Sequence, residues 1–208
     1  MGKGFFIAFE GIDGAGKTTQ VNLLSEALVE KGCRVLLTRD PGGTALGESL
    51  RNVLLYGKLP IDPLAESLLY AAARAQLVAE RILPALREGA VVISDRFADS
   101  THAYQGSGRG VSGEFLERIN SCACMGLVPD ITILLDMDPA AAPARLQRPA
   151  DRMEREGQGF LRRVREGYLA RAKQAPHRYL VLDASRPAGE LFARVSEAVE
   201  NLILSNLS

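Results

Sequence analysis

Charge of one sign is not in excess in this chain: 25 basic and 25 acidic side chains leave a formal net charge of zero. Non-specific binding to nucleic acid needs a basic surplus, so no nucleic-acid partner is expected. Any polyphosphate must be met by positive charge gathered locally. Long hydrophobic runs are missing too. No segment reaches the roughly 18–20 apolar residues of a membrane span. The opening MGKGFFIAFEG has neither the length nor the cleavage pattern of a secretory signal, and no membrane partner is expected. Cysteine is scarce and odd in number, at Cys33, Cys122 and Cys124. That speaks against a disulfide framework, and Cys122-Ala-Cys124 lacks the second Cys or His pair of a zinc site. The expectation is thiols in a reducing, cytoplasmic compartment. Repeats and dividing linkers are absent, so the 208 residues, 47% of them hydrophobic, read as one folded domain spanning 1–208.

What is present alternates. Phe5–Glu10 is a short apolar run ending in a glycine loop, and Thr18–Lys31 carries helical spacing (Val21, Leu24, Leu28) up to Gly32. Arg34–Thr38 reads as a strand closed by Pro41-Gly42-Gly43, and Leu46, Leu50, Val53 and Leu54 as a helix. Pro63 to about Glu88 predicts a long buried helix with a break at Pro84. Ala90–Ser94 is a strand ending at Asp95-Arg96. A Gly/Ser-rich loop at Gln105–Gly113 precedes a helix to about Gly126. Ile131–Asp136 is a strand, Pro139 opens a helix before an Arg-rich stretch, Arg178–Asp183 is the last strand and Gly189–Leu204 the last helix. Near-continuous apolar strands separated by helices indicate an α/β fold: a five-stranded parallel sheet with helices on both faces. Ligands bind such sheets at the carboxyl ends of the strands, where Glu10-Gly11, Arg39, Asp95-Arg96, Asp136 and Asp183 fall.

Gly11-Ile12-Asp13-Gly14-Ala15-Gly16-Lys17-Thr18 matches the phosphate-loop pattern G-x-x-x-x-G-K-[ST] at every position. Glycines let successive backbone N–H groups surround phosphate oxygens, and the helix that follows adds its positive end. Lys17 is a point charge for the β- and γ-phosphates, and Thr18 offers a hydroxyl to Mg²⁺. The motif follows a predicted strand and opens a predicted helix, as the pattern requires. It does not by itself separate kinases from switches or motors. Guanine-reading switches carry Asn-Lys-x-Asp, and none of Asn22, Asn52, Asn120, Asn201 and Asn206 precedes a lysine. Motor-type ATPases end an apolar strand in paired acids. Here the third strand ends in Asp95-Arg96, a cation where a second anionic substrate would lie, and that favours a kinase.

Further segments resemble thymidylate kinases of the bacterial type, over nearly the whole chain. They are Phe9-Glu10-Gly11-Ile12-Asp13-Gly14-Ala15-Gly16-Lys17-Thr18-Thr19-Gln20, Thr38-Arg39-Asp40-Pro41-Gly42-Gly43-Thr44, Leu69-Tyr70-Ala71-Ala72-Ala73-Arg74, Asp95-Arg96-Phe97, Ala103-Tyr104-Gln105-Gly106 and Asp151-Arg152-Met153-Glu154. Asp40 stands where the family often has Glu, and Phe97 where Tyr or His is frequent. The resemblance implies a phosphate-loop NTPase three-layer sandwich with an Arg-rich lid over about 145–160, transferring the γ-phosphoryl group of ATP to dTMP in dTTP synthesis. It implies ATP on Gly11, Ile12, Asp13, Gly14, Ala15, Gly16, Lys17, Thr18 and Thr19. It places Mg²⁺ on Thr18, with Asp95 acting through water.

For dTMP it implies Asp13, Arg39, Tyr70, Arg74, Arg96, Ser100, Thr101, Tyr104 and Gln105. Tyr70 would lie on the thymine face, Arg74 on a base carbonyl and Arg96 on the acceptor phosphate. Asp13 would face the 3′-hydroxyl or a water on Mg²⁺. Read from the residues alone, Asp13 also suits a loop-stabilising hydrogen bond and Arg96 a structural pair with a carboxylate, while Tyr70 on an Ala/Leu-rich helix is more often plain core. The seven arginines of 145–165 include i,i+4 pairs that suit a solvated helix. Some family members carry an arginine within the phosphate loop, where this chain has Gly14. The resemblance is to the branch in which Arg148 or Arg152, from the lid, serves with Asp13, Lys17 and Arg96 in catalysis. The family is dimeric, and the helices near 63–88 and 114–126 are the surfaces expected to pair two copies. A nucleotide switch without dTMP turnover, or a kinase for another monophosphate, are the rival readings.

Overall fold

The computed structural model describes residues 4–145 and 151–205. Its strands are β1 (Phe5–Glu10), β2 (Val35–Arg39), β3 (Val91–Asp95), β4 (Ile131–Asp136) and β5 (Tyr179–Asp183). They form one sheet in the order β2-β3-β1-β4-β5, every pair parallel, with Ile7 opposite Ile93 on one side and Ile131 on the other. The chain fills one half of the sheet first (β1, β2, β3) and then crosses to the other (β4, β5). That reversal beside β1 opens a crevice at its carboxyl end.

Among the helices are α1 (Lys17–Glu30), α2 (Ala45–Arg51), α3 (Pro63–Leu77), α4 (Leu83–Arg87), α5 (Ala98–Thr101), α6 (Gly113–Ala123), α7 (Gln158–Gln174) and α8 (Ala188–Ser205). Strand β1 is apolar on both faces because both are covered. Phe5, Ile7 and Phe9 pack with Val21, Leu24 and Leu28 of α1 and Val195 and Val199 of α8. Phe6 and Ala8 pack with Leu77, Val78 and Ile82 on the other side. The edge strands β2 and β5 are only half buried. Helix α2 is capped by Thr44, whose Oγ1 accepts from Gly47 N at 3.0 Å, and α3 by Asp62, with Pro63 in its first turn.

Three expectations are corrected. Pro139 does not open a helix: Asp138 Oδ1 accepts from Ala140 N at 2.8 Å, and this side-chain turn competes with the helix until a 3₁₀ turn at Ala142–Arg145. The Gly/Ser-rich stretch is not a loop from Gln105, because His102–Gly108 forms a π-helical turn packed against α7. The small residues serve close approach there: a Cβ on Gly167 of α7 would lie 2.4 Å from Ser107 Oγ and 3.2 Å from Ala103 Cα. The Arg-rich run is not one helix either. Asp151 Oδ1 accepts from Met153 N and Glu154 N, a 3₁₀ turn follows at Glu154–Glu156, and Gly157 breaks the chain with φ 85° before α7.

Gly167→Ala is therefore expected to destabilise the fold by about 1–3 kcal/mol, the cost of overpacking. Gly159→Ala, on the same helix with open space around the added methyl, is expected to stay within about 1 kcal/mol of the parent. Urea denaturation of both variants checks the contrast.

Candidate active site

The phosphate loop leaves β1 and turns into α1 at Gly16. Gly14 has φ 83°, and a Cβ there would lie 2.8 Å from the Ala142 carbonyl oxygen. The segment after β4 thus closes this loop position to any side chain, an arginine included. Lys17 is folded back: its Nζ donates to Gly11 O at 3.1 Å and Ile12 O at 3.0 Å and sits 3.7 Å from Asp13 Oδ1. Burial, and then the Arg96 charge, pull its pKa below the usual lysine range. Thr18 Oγ1 donates to Asp95 Oδ2 at 3.1 Å. A hydroxyl and a carboxylate, hard oxygen donors beside the loop, fit Mg²⁺. The groove along the loop is walled on its far side by Arg145 and by Ala184–Ala188, and Asp13 to Thr19 line its floor.

On the other side of Asp13 lies a second pocket, whose lining includes Asp13, Asp40, Tyr70, Arg74, Arg96 and Tyr104. Arg96 stands at its mouth in a left-handed conformation, φ 73°. Its Nη1 donates to Gly11 O (2.8 Å), Tyr168 OH (3.0 Å) and Ser100 Oγ (3.3 Å). Its Nη2 donates to Asp13 Oδ1 (2.8 Å) and Tyr104 OH (3.2 Å). Tyr70 and Arg74, one turn apart on α3, line the interior with Thr101, Tyr104 and Gln105. Arg74 is 1% exposed. Its Nε donates to Asp40 Oδ2 and its Nη1 to Asn120 Oδ1, both at 2.5 Å, and its Nη2 to Thr101 Oγ1 at 2.8 Å. Its guanidinium also faces the Phe97 ring, 5.7 Å from the centroid.

Eight of the nine predicted acceptor residues therefore share one cavity. Arg39 does not. It is exposed, donates to both Glu48 oxygens, and borders a neighbouring cleft beside Thr18 and Asp95. Arg152 departs from its expected role: its Nη2 donates to the carbonyls of Gly57 (3.0 Å) and Leu59 (2.9 Å), and its backbone N to Leu55 O, so it secures the 53–59 turn and lines neither cavity. Arg148 lies outside the described residues.

Sequence reasoning missed Arg51 of α2, which lines the cavity and donates to Pro41 O at 2.9 Å. Its one signal is its place on the helix capped just after Pro41-Gly42-Gly43. It also missed Arg145, on the donor groove with Nη1 on Ala184 O at 2.9 Å. Glu10 was seen only as a strand end. It is fully buried, and its Oε1 accepts from Phe97 N (2.8 Å) and Ser100 N (3.2 Å), its Oε2 from Ser100 Oγ (2.6 Å) and Tyr168 OH (2.9 Å). Burial, reinforced by Asp99 and opposed by Arg96, pushes its pKa up to about 7.

A phosphate loop opening a helix, beside a second pocket lined by Arg96, is the arrangement of a phosphate-loop kinase. Residues 9–195 match the thymidylate kinase family model. The chain is 56% identical over 207 residues to a thymidylate kinase of Pelotomaculum thermopropionicum, covering 97% of this chain and 95% of that one. It is 49% identical over 201 residues to that of Deinococcus radiodurans, covering 96% and 98%. The crystal structure of thymidylate kinase from Ehrlichia chaffeensis superposes with a TM-score of 0.78 at 37% identity, over 95% of this chain and 99% of that one. The chain belongs to the thymidylate kinase family, whose members phosphorylate dTMP to dTDP with ATP.

Arg74 is both a cavity residue and half of a buried ion pair, so its removal strands the Asp40 charge. Arg74→Ala is expected to lose about 3–5 kcal/mol of stability. Asp40→Ala/Arg74→Ala is expected to lose less than the sum of the two single variants. Chemical denaturation of the four proteins provides the cycle.

Proposed function

We propose that the chain transfers the γ-phosphoryl group of ATP to dTMP, with ATP along the phosphate loop and dTMP in the pocket lined by Tyr70, Arg74 and Arg96. One observation carries this division: Asp13 lines both spaces, with Lys17 on one side of it and Arg96 on the other. The acceptor is a phosphate monoester with a second pKa near 6, so it is already largely a dianion at neutral pH. No general base is needed, and catalysis is positioning with charge neutralisation. Lys17 holds the β- and γ-phosphates once it releases the Gly11 and Ile12 carbonyls. Arg96 holds the acceptor phosphate, and Asp13 orients Arg96 or meets the 3′-hydroxyl. The Tyr70 ring provides a face for the base, and Arg74, fixed by Asp40, Asn120 and Thr101, turns its remaining N–H groups to a base carbonyl. Thr18 and Asp95, the latter directly or through water, would hold Mg²⁺, which would supply positive charge against the phosphates.

With ATP–Mg²⁺ and a panel of nucleoside monophosphates, dTMP is expected to give the highest kcat/KM. A different optimum would assign the cavity to another monophosphate. Slow ATP hydrolysis insensitive to every monophosphate would make the protein a nucleotide switch instead.

Charge on the transferred group is assigned to Arg148 rather than Arg152, because Arg152 is committed to the 53–59 carbonyls. Arg148→Ala is expected to lower kcat by more than about a hundredfold, within the range of an arginine acting on a moving phosphoryl group. Arg152→Ala should keep kcat within a few fold and lose thermal stability. The reverse pattern in steady-state kinetics and melting would restore Arg152 to the catalytic role.

A homodimer and a cytoplasmic setting belong to the same proposal. Leu64, Leu68 and Ala72 form an exposed stripe on α3, the i, i+4, i+8 pattern of a helix face made for another surface. Leu68→Glu is expected to shift the protein from dimer to monomer in sedimentation velocity. The three cysteines are free thiols, compatible with a reducing compartment. Among the described residues, no helix is long and apolar enough to cross a membrane.

A further inference from the structure

Behind Arg96 three oxygens form a closed triangle. Ser100 Oγ lies 2.6 Å and Tyr168 OH 2.9 Å from Glu10 Oε2, and the two hydroxyls are 2.7 Å from each other. Every edge is a hydrogen-bond length. The two hydroxyls bring one proton each, enough for two edges only. An ionised Glu10 leaves one pair of oxygens facing each other with no proton between them. A third proton, on Glu10, lets each oxygen donate once and accept once around the ring. The hydroxyls then keep a lone pair for Arg96 Nη1, which reaches both.

We propose that Glu10 is a positioning residue for Arg96, working through Ser100 and Tyr168, and that the ring closes by taking up a proton as the acceptor phosphate arrives. This rests on the reading above that the acceptor phosphate binds Arg96. A dianion reaching Arg96 engages the cation that favours the charged form of Glu10, and it brings negative charge towards a buried carboxyl. The other groups around Glu10 act in both directions. Asp99 opposes its charge, while Lys17 of α1 and Arg74 of α3 favour it. The phenols of Tyr168 on α7 and Tyr179 on β5 are neutral, both held so by burial. The near-neutral titration of Glu10 agrees with the proton count of the triangle.

The device makes dTMP binding, and not ATP binding, depend on pH in a way that the nucleotide's own titration does not explain. Above pH 7 the free monophosphate is already mostly dianionic, so proton uptake there belongs to the protein. Calorimetry of dTMP binding at pH 7.5, in two buffers of different ionisation enthalpy, is expected to show net proton uptake by the wild type and none by Glu10→Gln. Between pH 6.5 and 8.5 the wild-type KM for dTMP is expected to rise by about tenfold, the size of one pKa unit of linkage. That rise should flatten in Glu10→Gln, with the KM for ATP unchanged in both proteins.

Tyr168→Phe keeps the carboxyl and opens the ring. It should raise the KM for dTMP several fold, lose the proton uptake and leave the KM for ATP alone. Equal uptake in wild type and Glu10→Gln, or a parallel loss of both substrates in Tyr168→Phe, would overturn the proposal. Arg96→Lys separates it from the reading beneath. If that variant binds dTMP as tightly as wild type, the acceptor phosphate is not on Arg96 and both fall. If it binds weakly while wild type takes up no proton, only the Glu10 inference fails.

Discussion

A partly buried guanidinium at the carboxyl end of a central strand is the constraint on which this active site depends. Arg96 follows β3 directly, its backbone N pinned to Phe9 O at 2.8 Å and its φ held at 73°. An isolated charge in that position is costly, and the surrounding elements converge to meet it. The phosphate loop brings Gly11 O and Asp13, α5 and the turn after it bring Ser100 and Tyr104, and α7 brings Tyr168. The carboxylate that pairs with Arg96 also stands beside Lys17. The cation of the acceptor cavity and the cation of the donor groove are thereby set at a common separation before either nucleotide arrives. Preorganisation of this kind is what a reaction without a general base has available.

A second buried pair fixes the far end of the acceptor cavity. Arg74 and Asp40 are each about 1% exposed in their side chains, and Asn120 and Thr101 take further guanidinium protons. A buried ion pair of this sort gains little net stability but holds one geometry. The departures from the family's commonest residues fall around it. Asp40, in place of Glu, still reaches Arg74. Phe97, in place of Tyr or His, offers a ring face to the guanidinium and an edge-on contact to Phe6 at 4.8 Å.

The strands were legible because both faces of the sheet are covered. β1 and β4 begin and end where their apolar runs do, at Phe5–Glu10 and Ile131–Asp136. The phosphate loop was legible because its glycines and Lys17 are consecutive. Most acceptor residues were reached only through family resemblance, since nothing local distinguishes Tyr70 on an Ala/Leu-rich helix from core. Features made by contacts distant in sequence stayed hidden. Glu10, Ser100 and Tyr168 meet from three parts of the chain, and Gly167 shows its purpose only against Ser107. The arginines of 145–165 misled for a related reason. Spacing within the run suggested surface pairs, whereas Arg152, Arg163 and Arg165 bind the carbonyls of 57 and 59, the Gly108 carbonyl and Asp136 respectively.

The segment after β4 is tied down against both spaces beside Asp13. Arg145 is anchored to the donor wall through Ala184 O. From Asp151 onward the anchors lie on the acceptor side, with Arg152 on the 53–59 turn and Glu156 on Arg109 at 2.9 Å, while Arg109 also holds buried Glu66 at 2.7 Å. Met153 and Asp151 thereby become part of the acceptor cavity lining. The groove along the phosphate loop is walled by Arg145 and the start of α8. The segment thus contributes to both spaces, Arg145 to the wall of one and Asp151 and Met153 to the lining of the other, and its anchors are mainly backbone carbonyls met by arginines.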